Sequence, residues 1–225
     1  MKLQKILSLG LAGACLAGTL HSATAGAFED FFLALRDNKP AAIRTLLERG
    51  MDPNTPDEGG EPALVRALRV DAFDVAEVLM SRPHIDLNRA NLQGENALMI
   101  AAFKGRKDLV EKLLARKAEV NKTGWTPLHY AASVGNNAIV ALLIEHSAYV
   151  DAESPNGTTP IMMAARGGHI ATVRLLIDEG ADLSLKNEQG MTVIDFAERH
   201  EQKDIAEGLR LRAKREAERR AKPWR

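Results

Sequence analysis

Cysteine is almost absent from this chain of 225 residues, in which Cys15 is the only one. It lies in an apolar run that follows Lys2 and Lys5 and precedes the small residues Ala-Thr-Ala at 23–25. This pattern is typical of a secretory signal peptide, and we expect cleavage after Ala25. The remaining chain has no thiol, which excludes disulfides, a cysteine nucleophile and a thiolate metal site. A retained apolar anchor and lipidation of Cys15 are the alternatives.

Aromatic residues are also scarce, since they make up 4% of a sequence that is 45% hydrophobic. Small and aliphatic side chains must therefore form most of the core. Such side chains favour layers of closely packed helices over a β-sandwich, whose strands are rich in β-branched and aromatic residues. An exported domain of this size without disulfides also points to the bacterial periplasm as its compartment.

Charge of one sign is not in excess, because 30 Lys and Arg balance 30 Asp and Glu. The distribution is uneven: residues 207–225 contain eight basic and three acidic side chains, and residues 26–206 are mildly acidic. A general nucleic-acid-binding protein would need a basic face on its body. We therefore exclude nucleic acid as a partner.

The sequence does contain an internal repeat. Eight-residue segments such as GWTPLHYA and GTTPIMMA superpose, and their leading glycines are spaced 34, 30, 33 and 33 residues apart. A period near 33 predicts a stacked array of helical units. In these segments Thr is expected to cap a helix, and the Pro after it occupies the first helical position, where a missing N–H costs nothing. The capping residues are Thr126, Pro127, Thr159 and Pro160.

The stretches TPLHYAASVGN at 126–136, TPIMMAARGGH at 159–169 and RLLIDEGADL at 174–183 resemble the ankyrin repeat family. The resemblance covers residues 28–206. It implies an all-α fold, a solenoid of about six helix-turn-helix units with β-hairpin loops. We divide the chain into a signal peptide at 1–25, an ankyrin repeat domain at 26–206 with degenerate first and last repeats, and a basic C-terminal tail at 207–225.

His129 follows Thr126 by three residues, which places both side chains on one face of the first helical turn. By resemblance to the family, His129 is a structural clamp that bonds the Thr126 hydroxyl and nearby loop backbone. A metal ligand or general base would need partners, and the other histidines of the mature chain fall at unrelated repeat positions. We predict no catalytic residue, no metal and no cofactor.

The clamp is not repeated in the other units, so we expect weaker loops there. The residues at the corresponding position are Val65, Met99, Met162 and Asp195. The second and third repeats also lack the Thr-Pro pair and have Pro62-Ala63 and Asn96-Ala97 instead. Because the Thr-Pro cap is missing, we expect lower local stability in these two repeats but the same fold.

Family resemblance assigns partner binding to the hairpin tips and to the concave ends of the first helices. Phe103, Trp125 and Val134 are expected to come together at the centre of this face, where large apolar groups are candidate hot spots. Trp125 has an alternative role: the hairpin before it is about three residues shorter than the next, and the indole could fill the gap. The predicted partner-binding residues are Trp125, Phe103, Val134, Lys104, Arg69, Arg166 and Met191.

These observations predict a non-enzymatic periplasmic module that binds a protein partner as a monomer. Resemblance to exported bacterial ankyrin proteins implies support of a partner catalase in peroxide resistance. An inhibitor or immunity protein for a toxin or enzyme is one alternative. A membrane-surface adaptor is another, in which the basic tail contacts anionic lipid and Trp224 anchors it; the competing interpretation of the tail is a solvated helix.

Overall fold

The computed structural model describes residues 26–221, in which helices alternate with short loops. Twelve helices follow one another in this part of the chain, as six pairs. The first, α1, covers residues 26–36. The others are α2 Pro40–Glu48, α3 Ala63–Arg69, α4 Phe73–Met80, α5 Ala97–Phe103, α6 Lys107–Ala115, α7 Pro127–Ser133, α8 Asn137–Glu145, α9 Pro160–Arg166, α10 Ile170–Asp178, α11 Val193–Arg199 and α12 Lys203–Ala221. The predicted signal peptide and Trp224 lie outside the described residues.

The prediction of an all-α repeat fold is confirmed. Residues 26–221 contain no strand, and their single isolated β-bridge joins Pro56 to Pro62. The loops expected to form β-hairpins are tight turns instead. None of the helices within 26–221 is both long enough and apolar enough to cross a membrane.

The chain divides into two compact units between Ile85 and Asp86. The first unit contains α1–α4, and its core includes Phe31, Leu35 and Ile43, each at most 1% exposed. The Phe31 ring also packs edge-on against the ring of Phe32, with centroids 5.3 Å apart. Phe31 is the fully buried member of this pair, whereas Phe32 is partly exposed.

The second unit contains α5–α12. Its first helices α5, α7, α9 and α11 pack side by side, and α6, α8 and α10 form a second row. Alanines are fully buried on the first helices at Ala101, Ala131, Ala164 and Ala197. Their small side chains allow the close approach of neighbouring helices that the scarcity of aromatic residues predicts.

Four loops that precede first helices share one hydrogen-bonding pattern. In each, a backbone N–H donates to the carbonyl oxygen four residues later, and a glycine N–H donates back across the turn. The glycines have φ between 71° and 79°, a region that strains residues with a Cβ. The loops are Asp57–Glu61, Asn91–Glu95, Ser154–Thr158 and Asn187–Met191. Within the described chain, the shortened loop at 121–124 lacks this pair of bonds.

The last helix, α12, is the longest in the described part of the chain, with 19 residues. It crosses the boundary that we placed between residues 206 and 207. Leu209 is buried, whereas Leu211 is 50% exposed. An i,i+4 ion pair between Arg212 and Glu216, 2.9 Å long, supports the second half of this helix.

Candidate functional site

The loop at the start of α7 is built around His129, which is fully buried. Its Nδ1 accepts the backbone N–H of Thr126 at 3.1 Å and lies 2.9 Å from the Thr126 hydroxyl. Nε2 therefore carries the proton and donates to the carbonyl oxygen of Thr158, 2.9 Å away. Burial lowers the pKa of His129 to about 4. Both ring nitrogens are engaged in holding loops together.

Two repeats carry methionine in place of this histidine, and each leaves a buried polar atom without a partner. In the loop before α9, the N–H of Thr159 meets only the sulfur of Met162, at 3.5 Å. The Thr159 hydroxyl is buried without a hydrogen bond, and so is Nδ2 of Asn96 in the repeat of Met99. A buried polar group that lacks its hydrogen bond costs stability.

Helix α5 lacks the Thr-Pro pair but is capped by a different residue. Asn96 stands at the N-cap, and its side-chain oxygen accepts the N–H of Met99 at 3.1 Å. Asparagine is among the preferred N-cap residues because its short side chain reaches the orphan N–H groups of the first turn. At Pro62, by contrast, no side chain caps α3.

In the sixth repeat, whose first helix is α11, a carboxylate stands in place of the imidazole. Oδ2 of Asp195 accepts from both the backbone N–H and the hydroxyl of Thr192, each at 2.7 Å. The hydrogen bond from the Thr192 hydroxyl lowers the pKa of Asp195. The carboxylate is exposed and reproduces only the part of the clamp that lies within its own repeat.

The two aromatic residues of the predicted binding face each contact an aromatic ring of α7. Trp125 is half-buried, and its ring lies edge-on to the imidazole of His129, with centroids 5.2 Å apart. Phe103 is 49% exposed and lies edge-on to Tyr130 at 6.2 Å. Among the described residues no ring contact joins Phe103 to Trp125. The rings of Phe103 and Trp125 therefore belong to two different aromatic pairs.

The side chain of Tyr130 is held in place by a hydrogen bond to another repeat, and the sequence did not predict this bond. Its hydroxyl donates to Oε1 of Glu95 at 2.8 Å, and the other oxygen of Glu95 accepts from the amide of Asn91 at 2.9 Å. Asn91 also closes its own turn by accepting two backbone N–H groups. The signal in the sequence was an Asp, Asn or Ser three residues before a repeat glycine, as in Asn91 and Asn187.

The remaining predicted residues lie at the ends of first helices or in their loops. Lys104 and Val134 are C-cap residues of α5 and α7, and Arg166 is the exposed last residue of α9. The sulfur of Met191 lies 3.4 Å from the guanidinium of Arg199. In the first unit, Nε of Arg69 donates to Glu61 at 2.7 Å. An internal carboxylate thus holds Arg69.

Nothing in residues 26–221 resembles a metal site, because no three His, Cys, Asp or Glu side chains are grouped to hold an ion. The predicted binding face is instead a surface formed by helix ends and loops, with one partly exposed aromatic pair. Such a surface is suited to contacts with another macromolecule.

Comparison with known proteins identifies the repeats. A family model described as ankyrin repeats, in three copies, matches residues 84–154 and again residues 148–218. Together the two matches cover more than half of the chain. The chain belongs to the ankyrin repeat family. Ankyrin repeats indicate a protein–protein interaction module, and the family is generally a non-enzymatic scaffold.

Similar proteins come from several eukaryotes. The chain is 34% identical over 125 residues to Neurogenic locus notch homolog protein 1 of Xenopus tropicalis, which is 54% of this chain and 5% of that protein. It is 37% identical over 124 residues to Ankyrin repeat-containing protein ITN1 of Arabidopsis thaliana, 53% of this chain and 19% of that protein. It is 35% identical over 109 residues to Ankyrin repeat and SAM domain-containing protein 6 of Rattus norvegicus, 47% and 12% respectively. This chain spans only a small part of each relative.

Proposed function

We propose that this ankyrin repeat chain is an exported, monomeric and non-enzymatic module that binds a protein partner in the periplasm. The partner contacts one face of the second unit. The observation that carries this proposal is Phe103, a half-exposed aromatic residue whose ring is held edge-on by Tyr130. A pre-positioned aromatic side chain offers a large contact area at little cost in conformational entropy.

The charges around this aromatic pair describe the partner surface that would fit it. Arg166 is exposed at the end of α9. In the next repeat, Arg199 is occupied by Gln189 and Met191. A complementary surface would place an apolar group over Phe103 and a carboxylate within reach of Arg166. Both carboxylate oxygens of Glu95 accept hydrogen bonds from within the chain, from Tyr130 and Asn91.

The compartment and the first partner to test come from the sequence. The signal-peptide pattern in residues 1–25 supports export, and N-terminal sequencing of the protein from a periplasmic fraction should begin at Gly26. Resemblance to exported bacterial ankyrin proteins makes a catalase of the same compartment the first partner to test. Light scattering of the purified protein should give the mass of one chain.

The experiment is affinity capture from periplasmic extract with the tagged mature chain, followed by identification of bound proteins by mass. Phe103→Ala should reduce the recovered partner at least about tenfold, because truncation of a true hot spot costs about 2 kcal/mol or more. Tyr149→Ala is the matched control, since Tyr149 is a 68% exposed aromatic residue in the loop after α8. Equal capture by Phe103→Ala and Tyr149→Ala would show that the partner does not bind the face at Phe103. Recovery of a toxin would instead favour the inhibitor or immunity function, and recovery of lipid would favour the membrane-surface adaptor.

A further inference from the structure

A second surface of this unit has the features of a binding site. An open groove of about 460 Å³ lies between α10 and α12. Its floor is apolar and includes Val173, Ile177 and Leu209. At its edges, Ile170 is 41% exposed and Leu211 is 50% exposed. These two side chains add accessible aliphatic surface to the apolar floor.

The rim of the groove is cationic. Arg174, Arg215 and Arg219 line it, and in the described part of the chain none of them forms a salt bridge. The nearest acid on α12, Glu216, is paired with Arg212 at 2.9 Å. Asp204, near the beginning of α12, is the other carboxylate in the lining. The three arginines therefore outweigh the acidic charge that is left unpaired.

The groove is elongated. The lining residues of α12 run from Asp204 to Arg219 along one face, a length of about 22 Å at 1.5 Å per residue. The lining residues of α10 run only from Ile170 to Ile177, about 10 Å. The lining on α12 is therefore about twice as long as the lining on α10, and its length matches a segment of several helical turns.

We propose that this groove binds an acidic amphipathic segment of a protein partner. Apolar side chains of the segment would rest on Ile170, Ile177 and Leu211, and its carboxylates would pair with Arg174, Arg215 and Arg219. Arginine is suited to this role because its guanidinium binds carboxylates in a planar, two-pronged geometry. A recessed apolar floor between two helices fits a helix or strand better than the flat surface of a lipid bilayer. The groove is formed by α10 and α12, the second helices of the last two repeats. It shares no residue with the face at Phe103.

The test uses the full chain and a defined probe, a fluorescein-labelled peptide of about 18 residues with Leu at i, i+3, i+4 and i+7 and Glu at the flanking positions. Fluorescence anisotropy should show saturable binding that weakens at least about tenfold when Gln replaces every Glu of the peptide. Arg215→Glu and Leu211→Ser should each weaken binding at least about fivefold. Both positions are exposed, so circular dichroism should show unchanged folding.

Lys214→Glu is the matched control, because it makes the same charge change on the residue just before Arg215 and Lys214 does not line the groove. Its binding should stay within about twofold of the parent chain. An equal loss in Lys214→Glu and Arg215→Glu would show diffuse attraction rather than a site. Absence of saturation up to about 1 mM peptide would overturn the proposal. So would binding of phosphatidylglycerol vesicles that the peptide cannot compete with, which would assign the helix to a membrane surface, or self-association that Leu211→Ser abolishes.

Discussion

The Nε2 atom of His129 lies 2.9 Å from the carbonyl oxygen of Thr158, so an imidazole at the start of α7 is bonded to the loop that precedes α9. The same ring accepts from its own N-cap residue, Thr126. One side chain thus closes its own helix and ties two consecutive repeats. This double role explains why the repeats that replace His by Met contain buried polar atoms without partners.

Acidification is expected to weaken this link. Burial lowers the pKa of His129 from 6.5 to about 4, so the unfolded chain takes up a proton at a pH where the folded chain does not. The contribution is complete above about pH 6.5 and is lost as the pH falls toward about 4, by at most about 3 kcal/mol. Denaturant titrations should show that His129→Ala costs roughly 1–3 kcal/mol near pH 7 and progressively less below about pH 6.

His146→Ala is the control for this titration, because His146 is exposed at the end of α8. It should change the free energy of unfolding near pH 7 by no more than about 0.5 kcal/mol. A cost of His129→Ala that stayed constant from about pH 7 to pH 5 would show that the imidazole is not held neutral by the fold.

The local chemistry of a repeat could be predicted from the sequence, because neighbours within a few residues decide it. Thr126 and His129 meet across one helical turn, as their spacing indicates. The cap at Asn96 could have been predicted as well, since Asn is a strong N-cap residue and can replace the Thr of the Thr-Pro pair. These contacts depend on spacing and residue type alone.

Contacts between repeats could not be predicted in the same way. Tyr130 and Glu95 are 35 residues apart, and their hydrogen bond depends on the rotamers of two side chains on different repeats. The separation of the aromatic residues into two pairs has the same origin. The groove beside α12 depends on how two helices of unequal length lie against each other, and periodicity carries no information about that.

Restoring the histidine in the fifth repeat is expected to stabilise the protein. Met162 is 1% exposed and lies where His129 lies in the fourth repeat, beside the unpartnered hydroxyl of Thr159. In Met162→His the ring can accept from Thr159 and donate to the carbonyl oxygen of Met191, which corresponds to Thr158. We expect a gain of about 1 kcal/mol near pH 7, measured by denaturant unfolding.

Met162→Leu separates this hydrogen bonding from packing. It conserves the volume of the side chain but offers no acceptor, so it should give no gain. If Met162→His destabilised the protein near neutral pH while Met162→Leu was neutral, the loop before α9 would not admit the clamp of the loop before α7.

A second gain is expected at Asp151. The corresponding residue one repeat earlier, Asn121, accepts the N–H of Tyr149 at 2.9 Å and donates to the carbonyl oxygen of Ser147 at 2.7 Å. Asp151 accepts the N–H of Asp182 at 3.1 Å, but its carboxylate has no proton to donate. Asp151→Asn should therefore add about 0.5–1 kcal/mol near pH 7, measured by thermal and denaturant unfolding.

The pH dependence of that gain follows from the pKa. Burial, opposed by the Asp182 N–H and assisted by the nearby Asp182 carboxylate, raises the pKa of Asp151. The folded state therefore binds this proton more readily than the unfolded chain, and the parent protein recovers stability as the pH falls through the raised pKa. The advantage of Asp151→Asn should shrink there. Asp182→Asn removes only the repulsion, and a gain equal to that of Asp151→Asn would rule out the missing donor as the cause.

The last prediction concerns Trp125, for which the sequence allowed two roles: binding a partner or packing into the shortened loop. Its edge-on contact with His129 gives the indole a role in the fold, worth about 0.5–1.5 kcal/mol for an aromatic pair. Its half-exposed surface remains available to a partner. We therefore expect Trp125→Ala to lower stability by about 1 kcal/mol and to weaken capture of the partner at least about tenfold, measured on the folded protein.

Trp125→Phe distinguishes the two contributions, because a phenyl ring can keep the contact with His129 but presents less surface to a partner. It should restore most of the stability lost in Trp125→Ala while binding stays weaker than in the parent chain. If Trp125→Ala lost several kcal/mol and its folded fraction still bound normally, the indole would be filling the shortened loop at 121–124. Binding would then rest on Phe103 and Arg166, and Phe103→Ala would remain the variant that abolishes capture.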